Sequence, residues 1–289
     1  MLKQRVITAF FLLAILLPAL FYRTPVPFCA VALLLIAAGA WEWGRLNSCT
    51  QAGSLFLAVI CLLLCGLSWH FGLLTQSLPW LWRIAGVSWV LVAVWLLREG
   101  VSGWLNIPRG LRLLGGLVAL WLSWLAVSQA RVIGINFLMS VLVLVWGADI
   151  FAYIAGRLFG GRFTKRKLAP SISPGKSWEG VWGAITGVVV LSILWGVFER
   201  FNVASISLAN ISSSSLYSRL WAQHGPVMMM IAVVFLVTMS AAGDLVESLV
   251  KRSAGVKDSS GLLPGHGGVL DRVDALLPTL PLALMFVSL

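Results

Sequence analysis

Acidic residues are scarce in this chain, ten in 289, and five of them, Asp244, Glu247, Asp258, Asp271 and Asp274, fall between positions 244 and 274. If the apolar run ahead of Asp244 continues as a helix, Asp244, Ser248 and Lys251 share one face, because residues four and seven apart lie on the same side. Asp271 and Asp274 share a face of the helix that follows by the same rule. The segment between is rich in Gly, Ser and Pro, and it reads as a loop that closes two helix ends against each other. Carboxylates gathered in this way repel one another unless a cation compensates. Oxygen ligands suit Mg²⁺, which binds through one or two carboxylates plus substrate phosphates. The expected metal ligands are therefore Asp244, Asp271 and Asp274, with a second cation left open. Lys251, Arg252, Lys257 and Arg272 are interleaved with these acids and suit phosphate oxygens, and Gly265, Gly267 and Gly268 let backbone amides approach an anion. The plainer alternative is a solvated loop between two membrane helices, its Lys-Arg pair serving only as a topology signal.

A second constellation centres on Asp149, which follows the apolar run 141–147 and so falls within a membrane span. An ionisable residue at that depth is costly and by default marks a functional site. The alternative is an acid near the helix end that pairs with Arg157. The loop after it carries Arg157, Arg162, Lys165, Arg166 and Lys167, then Ser-Ile-Ser-Pro-Gly-Lys-Ser-Trp-Glu-Gly over 171–180. Gly175-Lys176-Ser177 looks like the tail of a nucleotide-binding P-loop, but Pro170 stands at the required earlier glycine and no strand is expected before it. What remains is a turn entering a helix, where free amides and the helix dipole favour an anion. Ser173, Lys176 and Ser177 are the expected phosphate contacts.

The elements that must position these residues are membrane helices. With 60% hydrophobic and 11% charged residues and a mean hydropathy of +0.95, the chain lies far outside soluble composition. A span needs about 20 apolar residues. Nine stretches qualify as candidates: 6–21, 26–41, 54–74, 80–97, 113–130, 135–155, 180–198, 226–242 and 273–289. The expected fold is all-α and polytopic, a single membrane-embedded domain with N-terminal helices over 1–134 and catalytic helices over 135–289. The polar loops of interest are 156–179 and 243–272.

With the amino terminus in the cytoplasm, only Arg23, Arg83, Arg131, Arg200 and Arg219 of the 21 Lys and Arg residues fall outside. Such an asymmetry is what sets helix orientation, and it puts both loops on the cytoplasmic side. The net charge of +11 would raise nucleic-acid binding in a soluble protein. Here it sits in short loops, no nucleic-acid module is present, and topology with anionic-lipid contact explains it.

The first apolar run reads as a retained helix, since Pro18-Ala19-Leu20-Phe21 is a poor cleavage site. The four cysteines read as free thiols. Tryptophans such as Trp41, Trp43, Trp80, Trp82 and Trp104 read as interfacial anchors. The serine run 212–215 reads as external linker, Met228–Met230 as packing, and Gly183 and Gly187 as a possible close helix contact.

The run Ser248-x-x-Lys251-Arg252, then Lys257-Asp258, then Pro264-x-His266-Gly267-Gly268-x-x-Asp271-Arg272-x-Asp274 resembles the signature of the phosphatidate cytidylyltransferase family, also called CDP-diacylglycerol synthases. The stretch from Lys167 to Gly180 with Asp149, and Ala40-Trp-Glu-Trp-Gly44, resemble the same family. The resemblance covers the chain from end to end and implies a helical membrane enzyme, a homodimer, in a bacterial-type inner membrane. The implied reaction transfers a cytidylyl group from CTP to phosphatidate, giving CDP-diacylglycerol and pyrophosphate.

On that reading Asp244, Asp271 and Asp274 hold Mg²⁺, and Lys251, Arg252, Lys257 and Arg272 hold phosphates. Asp149, Ser173, Lys176, Ser177, Ser248, Gly267 and Gly268 contribute to substrate binding, and His266 shapes the loop by hydrogen bonding. Two rival readings are a paralogue with altered substrate or activity, and a transporter. A transporter should carry internal symmetry, and no repeat is visible.

Overall fold

A computed structural model describes residues 2–202 and 214–288. It is built from ten helices and one short hairpin. In chain order these are α1 (Leu2–Phe21), α2 (Val26–Leu46), α3 (Gln51–His70), α4 (Pro79–Asn106), α5 (Arg109–Ile133), α6 (Ile135–Phe159), β1 (Lys167–Ala169), β2 (Ser173–Ser177), α7 (Trp178–Asn202), α8 (Leu216–Ser253), α9 (Leu270–Val273) and α10 (Leu276–Val287).

Seven helices, α2 to α8, are long and apolar enough to cross a membrane, and a lipid core admits helices because they satisfy every backbone donor and acceptor internally. The protein is a multi-pass membrane protein of all-α class. One core joins residues from the first helix to the last, and Phe137, Leu138, Val141 and Leu144 of α6 and Val233, Leu236 and Leu249 of α8 are buried in it. Phe10, Leu34, Leu63, Leu91 and Val227 cover the periphery and are exposed, as lipid-facing side chains must be.

Helix ends follow local chemistry. Thr50 caps α3 through the Gly53 amide, and Ser215 caps α8 through the Ser218 amide, each satisfying a donor that the first turn leaves free. α6 and α7 pack most closely. A methyl group at Gly183 would lie 2.1 Å from the Ala155 Cβ, and one at Gly187 would lie 2.3 Å from the Phe151 ring. These are the small-residue contacts that bring membrane helices together.

The structure departs from the sequence reading in several places. The candidate span 273–289 is α9 followed by α10, which has only 12 residues, or about 18 Å of helix against roughly 30 Å of hydrocarbon. α10 is buried against α4, α5 and α8. The stretch that separates the candidate spans 180–198 and 226–242 is partly helix, because α8 begins at Leu216 and breaks its geometry at Gly225-Pro226. Residues 203–213, which include Ser212 and Ser213 of the serine run, lie outside the described residues.

Ser215 belongs to no linker. It is buried, and its hydroxyl donates to Glu199 Oε2 at 2.6 Å. Trp82 and Trp104 are buried and so are no interfacial anchors; Trp82 Nε1 donates to Gln129 Oε1 at 3.1 Å. Arg131, allocated to the external face, is also buried, donating to the carbonyls of Leu20 and Tyr22 at the end of α1. The apolar length of a tryptophan or arginine outweighs its polar tip when that tip finds a carbonyl.

Candidate active site

The segment 171–180 was expected as a turn entering a helix. It is instead a strand entering one: β2 pairs antiparallel with β1, Lys167 opposite Ser177 and Ala169 opposite Ser173. Lys167 Nζ closes the hairpin on the Pro174 carbonyl at 2.7 Å. β2 runs without a break into α7, whose Gly180 amide donates to Ser177 Oγ at 3.2 Å. The glycines and proline of this stretch suggested a loop, and the pairing partner that makes it a strand lies in a basic segment with no strand-like pattern.

This hairpin carries Lys176 to α8, where its ammonium meets Asp244 Oδ2 at 2.6 Å. The pair is partly open, with side chains 26% and 32% exposed. Both residues line a cavity of about 470 Å³ between α6, the hairpin, α7 and α8. Asp149, Tyr153, Arg157 and Ser177 line it as well, and its remaining wall is largely apolar, with Ala148, Val181 and Val237. Asp149 does not use Arg157 as its partner; Arg157 donates to Tyr153 Oη at 2.9 Å, and Asp149 lines the same cavity as Asp244 and Lys176. Glu179, buried at the start of α7, accepts from the Phe163 and Thr164 amides and holds the turn before the hairpin.

A second, tighter cluster lies where α8 meets α9. α8 continues through Ser253, so Asp244, Ser248 and Lys251 share one helical face, and Ser248 Oγ donates to Asp244 Oδ1 at 3.3 Å. Lys251 is held between Glu247, one turn back, and Asp271 Oδ1 at 2.6 Å, with the three side chains only 12%, 4% and 8% exposed. Asp271 Oδ2 accepts from Gly268 N at 2.7 Å and from both Ser259 N and Ser259 Oγ at 2.9 Å. Burial opposes the charge of Asp271, but the Lys251 ammonium and these amides outweigh it and hold its pKa below the usual carboxylate value.

The loop between is a set of fixed turns. Leu263 bridges Gly267, the His266 amide donates to the Leu263 carbonyl, and Arg272 donates twice to the His266 carbonyl. Gly265 and Gly267 have φ of +77° and +84°, a region that favours glycine. Arg252 reaches the Ile172 carbonyl at 3.4 Å and so ties α8 to the hairpin loop. Lys257 and Asp258 are exposed.

The expected metal ligands are therefore divided. Asp244 faces Lys176, Asp271 faces Lys251, and Asp274 Oδ1 accepts from the Ala275 amide. Among the described residues no three carboxylate, imidazole or thiolate groups stand together as a metal ligand set. A Cβ on Gly243 would lie 2.7 Å from the Asp274 carbonyl, so Asp274 packs against the turn of α8 that carries Asp244; a pair of carboxylates is the donor set that Mg²⁺ takes in its substrate-assisted form, completed by phosphates. Of the phosphate-binding candidates, Lys176 and Ser177 reach the cavity, whereas Lys251 is committed to two carboxylates. Glu42, Glu247 and Tyr153 join these clusters without having been singled out from the sequence.

Fold and site define a multi-pass helical membrane protein whose cavity sets lysine and carboxylate charge beside apolar helix walls. A profile described as the Cytidylyltransferase family matches residues 3–289. The chain is 37% identical over 287 residues, 97% of its own length and 95% of the other's, to a phosphatidate cytidylyltransferase of Pseudomonas aeruginosa. It is 35% identical over 300 residues, 97% and 96% of the two lengths, to a phosphatidate cytidylyltransferase of Haemophilus influenzae. The chain belongs to the Cytidylyltransferase family.

Proposed function

We infer that the chain is a phosphatidate cytidylyltransferase, transferring a cytidylyl group from CTP to phosphatidate and releasing pyrophosphate. The observation that carries this is full-length similarity to two proteins of that name, joined to a charged cavity with apolar walls that suits a phosphate carried on a lipid. In the reaction a phosphatidate oxygen attacks the α-phosphorus of CTP, the bond from that phosphorus to the β-phosphate oxygen breaks, and pyrophosphate leaves. The attacking oxygen is already anionic, so no general base is required. The demand is for charge compensation between two anions.

Lys176, on the rigid strand end, is the cation best placed to leave its carboxylate for a phosphate, and Ser177 offers a hydroxyl beside it. Asp244 and Asp274 would hold Mg²⁺, with Asp271 behind them in the Lys251 cluster. The bound ion supplies charge neutralisation of the phosphates and polarises the α-phosphoryl group. Lys257, Arg252 and Arg272 give the loop positive charge that attracts the nucleotide. The expected homodimer, the inner membrane and a site facing the cytoplasm belong to the same proposal, supported by family likeness and by the distribution of Lys and Arg.

Purified protein in detergent micelles, given phosphatidate and each labelled nucleoside triphosphate, tests the reading. CDP-diacylglycerol from CTP alone, rising with Mg²⁺, is the expected product; turnover with every triphosphate alike, or none with CTP, would overturn it. For orientation, cysteine replacements at the exposed Lys165 and Leu262 in a background lacking the native cysteines should be labelled only from the cytoplasmic side.

A further inference from the structure

Glu42 lies in the apolar N-terminal half of the chain, within Ala40-Trp-Glu-Trp-Gly44, and no step of the proposed reaction uses it. Its side chain is 0% exposed. An acid so placed is costly unless donors surround it, and here they come from residues more than 200 positions away. Oε1 accepts from Ser260 Oγ at 2.5 Å and Val269 N at 2.9 Å. Oε2 accepts from Leu270 N at 2.8 Å and lies 3.1 Å from Ser259 Oγ. The donors come from the middle of the loop and from the start of α9, so one carboxylate ties the two together.

The same atoms lead to the site. Ser259 Oγ shares its single proton between Glu42 Oε2 and Asp271 Oδ2. Val269 and Leu270 begin α9, whose N-cap residue Val269 offers no side-chain cap; Glu42 supplies from α2 the acceptor that the helix start lacks. Asp271 lies inside that turn and Asp274 closes it. Space is fixed as firmly as the hydrogen bonds: a Cβ on Gly268 would lie 2.0 Å from Ser259 Oγ and 2.4 Å from Glu42 Oε1, and a Cβ on Gly39, one turn before Glu42, would lie 3.3 Å from the Leu270 side chain. α2 is itself anchored, since Trp43 Nε1 donates to the Arg112 carbonyl and its ring fills the notch at Gly116.

We propose that Glu42 is a positioning residue of the active site, an acceptor lent by the N-terminal helices that sets the places of Asp271 and Asp274 by tying the middle of the loop after α8 to the start of α9. The inference rests on the reading of those two aspartates as site carboxylates.

Glu42→Gln tests it, because the shape is kept while one acceptor oxygen becomes an NH₂ facing donors. Hydrogen exchange in micelles should then quicken at the amides of Ser259, Gly268, Val269 and Leu270 and stay unchanged in α5 and α6. The kcat/KM for CTP should fall by about tenfold to a hundredfold, the range for removing the group that orients a ligand, and the Mg²⁺ midpoint should rise. Glu42 reaches Asp271 through the shared Ser259 hydroxyl, so Glu42→Gln and Asp271→Asn together should cost less than the product of their separate losses. Ser260→Ala removes one of the four donors and should shift the same readouts in the same direction by a smaller factor, which keeps the test open if Glu42→Gln does not fold. Unchanged loop exchange in both variants, or losses from Glu42→Gln and Asp271→Asn that multiply, would overturn the proposal. Wild-type activity in Asp271→Asn would instead sink the site reading beneath it.

Discussion

Two lysines, each bonded to an aspartate at 2.6 Å, stand in contrasting surroundings. Lys176 meets Asp244 across a cavity with both side chains about a quarter to a third exposed, whereas Lys251 meets Asp271 and Glu247 where all three are nearly covered. Partly solvated ion pairs contribute little to stability and exchange partners easily. A buried network is costly to break, because removing one member leaves the others charged and unpaired. The open pair is thus suited to trading its carboxylate for a ligand, and the closed one to holding α8 against α9.

The contrast can be broken first at the carboxylates. Asp244→Asn or Asp274→Asn should lower turnover by about a thousandfold, since several kcal/mol of metal charge compensation is at stake; activity measured against Mg²⁺ concentration checks this, and wild-type Mg²⁺ dependence in both would remove the proposed ion from these residues. Next is Lys251→Met. Stranding Glu247 and Asp271 should cost about 3–5 kcal/mol of stability, read as a lower melting temperature in micelles together with lost activity. If melting is unchanged, the cluster does not brace the fold.

Lys176→Ala should leave melting where it is and cut kcat/KM roughly tenfold or more, the worth of one charge-assisted phosphate contact. Lys165→Ala, at an exposed position of the same basic loop, should change kcat/KM least of all. Equal losses at Lys165 and Lys176 would reduce the hairpin to a general basic surface.

Hydropathy made most of the fold legible, because a bilayer demands long apolar runs and little else produces them. It failed where length and burial part company. α10 is as apolar as a span, yet it is short and surrounded by protein, and hydropathy alone cannot tell lipid from a protein interior. The one-face placement of Asp244, Ser248 and Lys251 followed from helical periodicity and is present in α8. The convergence of Asp271 and Asp274 on one point did not follow from their spacing, because α9 lasts only four residues and each carboxylate finds its own donors. Glu42 was within reach: it interrupts an apolar run as Asp149 does, and the cost of burying an acid applies equally to both. Its partners were hidden because they lie at the far end of the chain.

The contact between α6 and α7 bears on how the cavity is shaped. With no room for a methyl at Gly183 or Gly187, these two helices form one rigid plank, and the hairpin is nailed to its end through Ser177 and Gly180. The wall of the cavity that faces this plank is α8, and the Lys176–Asp244 pair is the latch between them. An alanine at Gly183 is a wedge driven into the plank itself, nearly two turns from Ser177, so it reshapes the cavity without altering a single charged group that lines it.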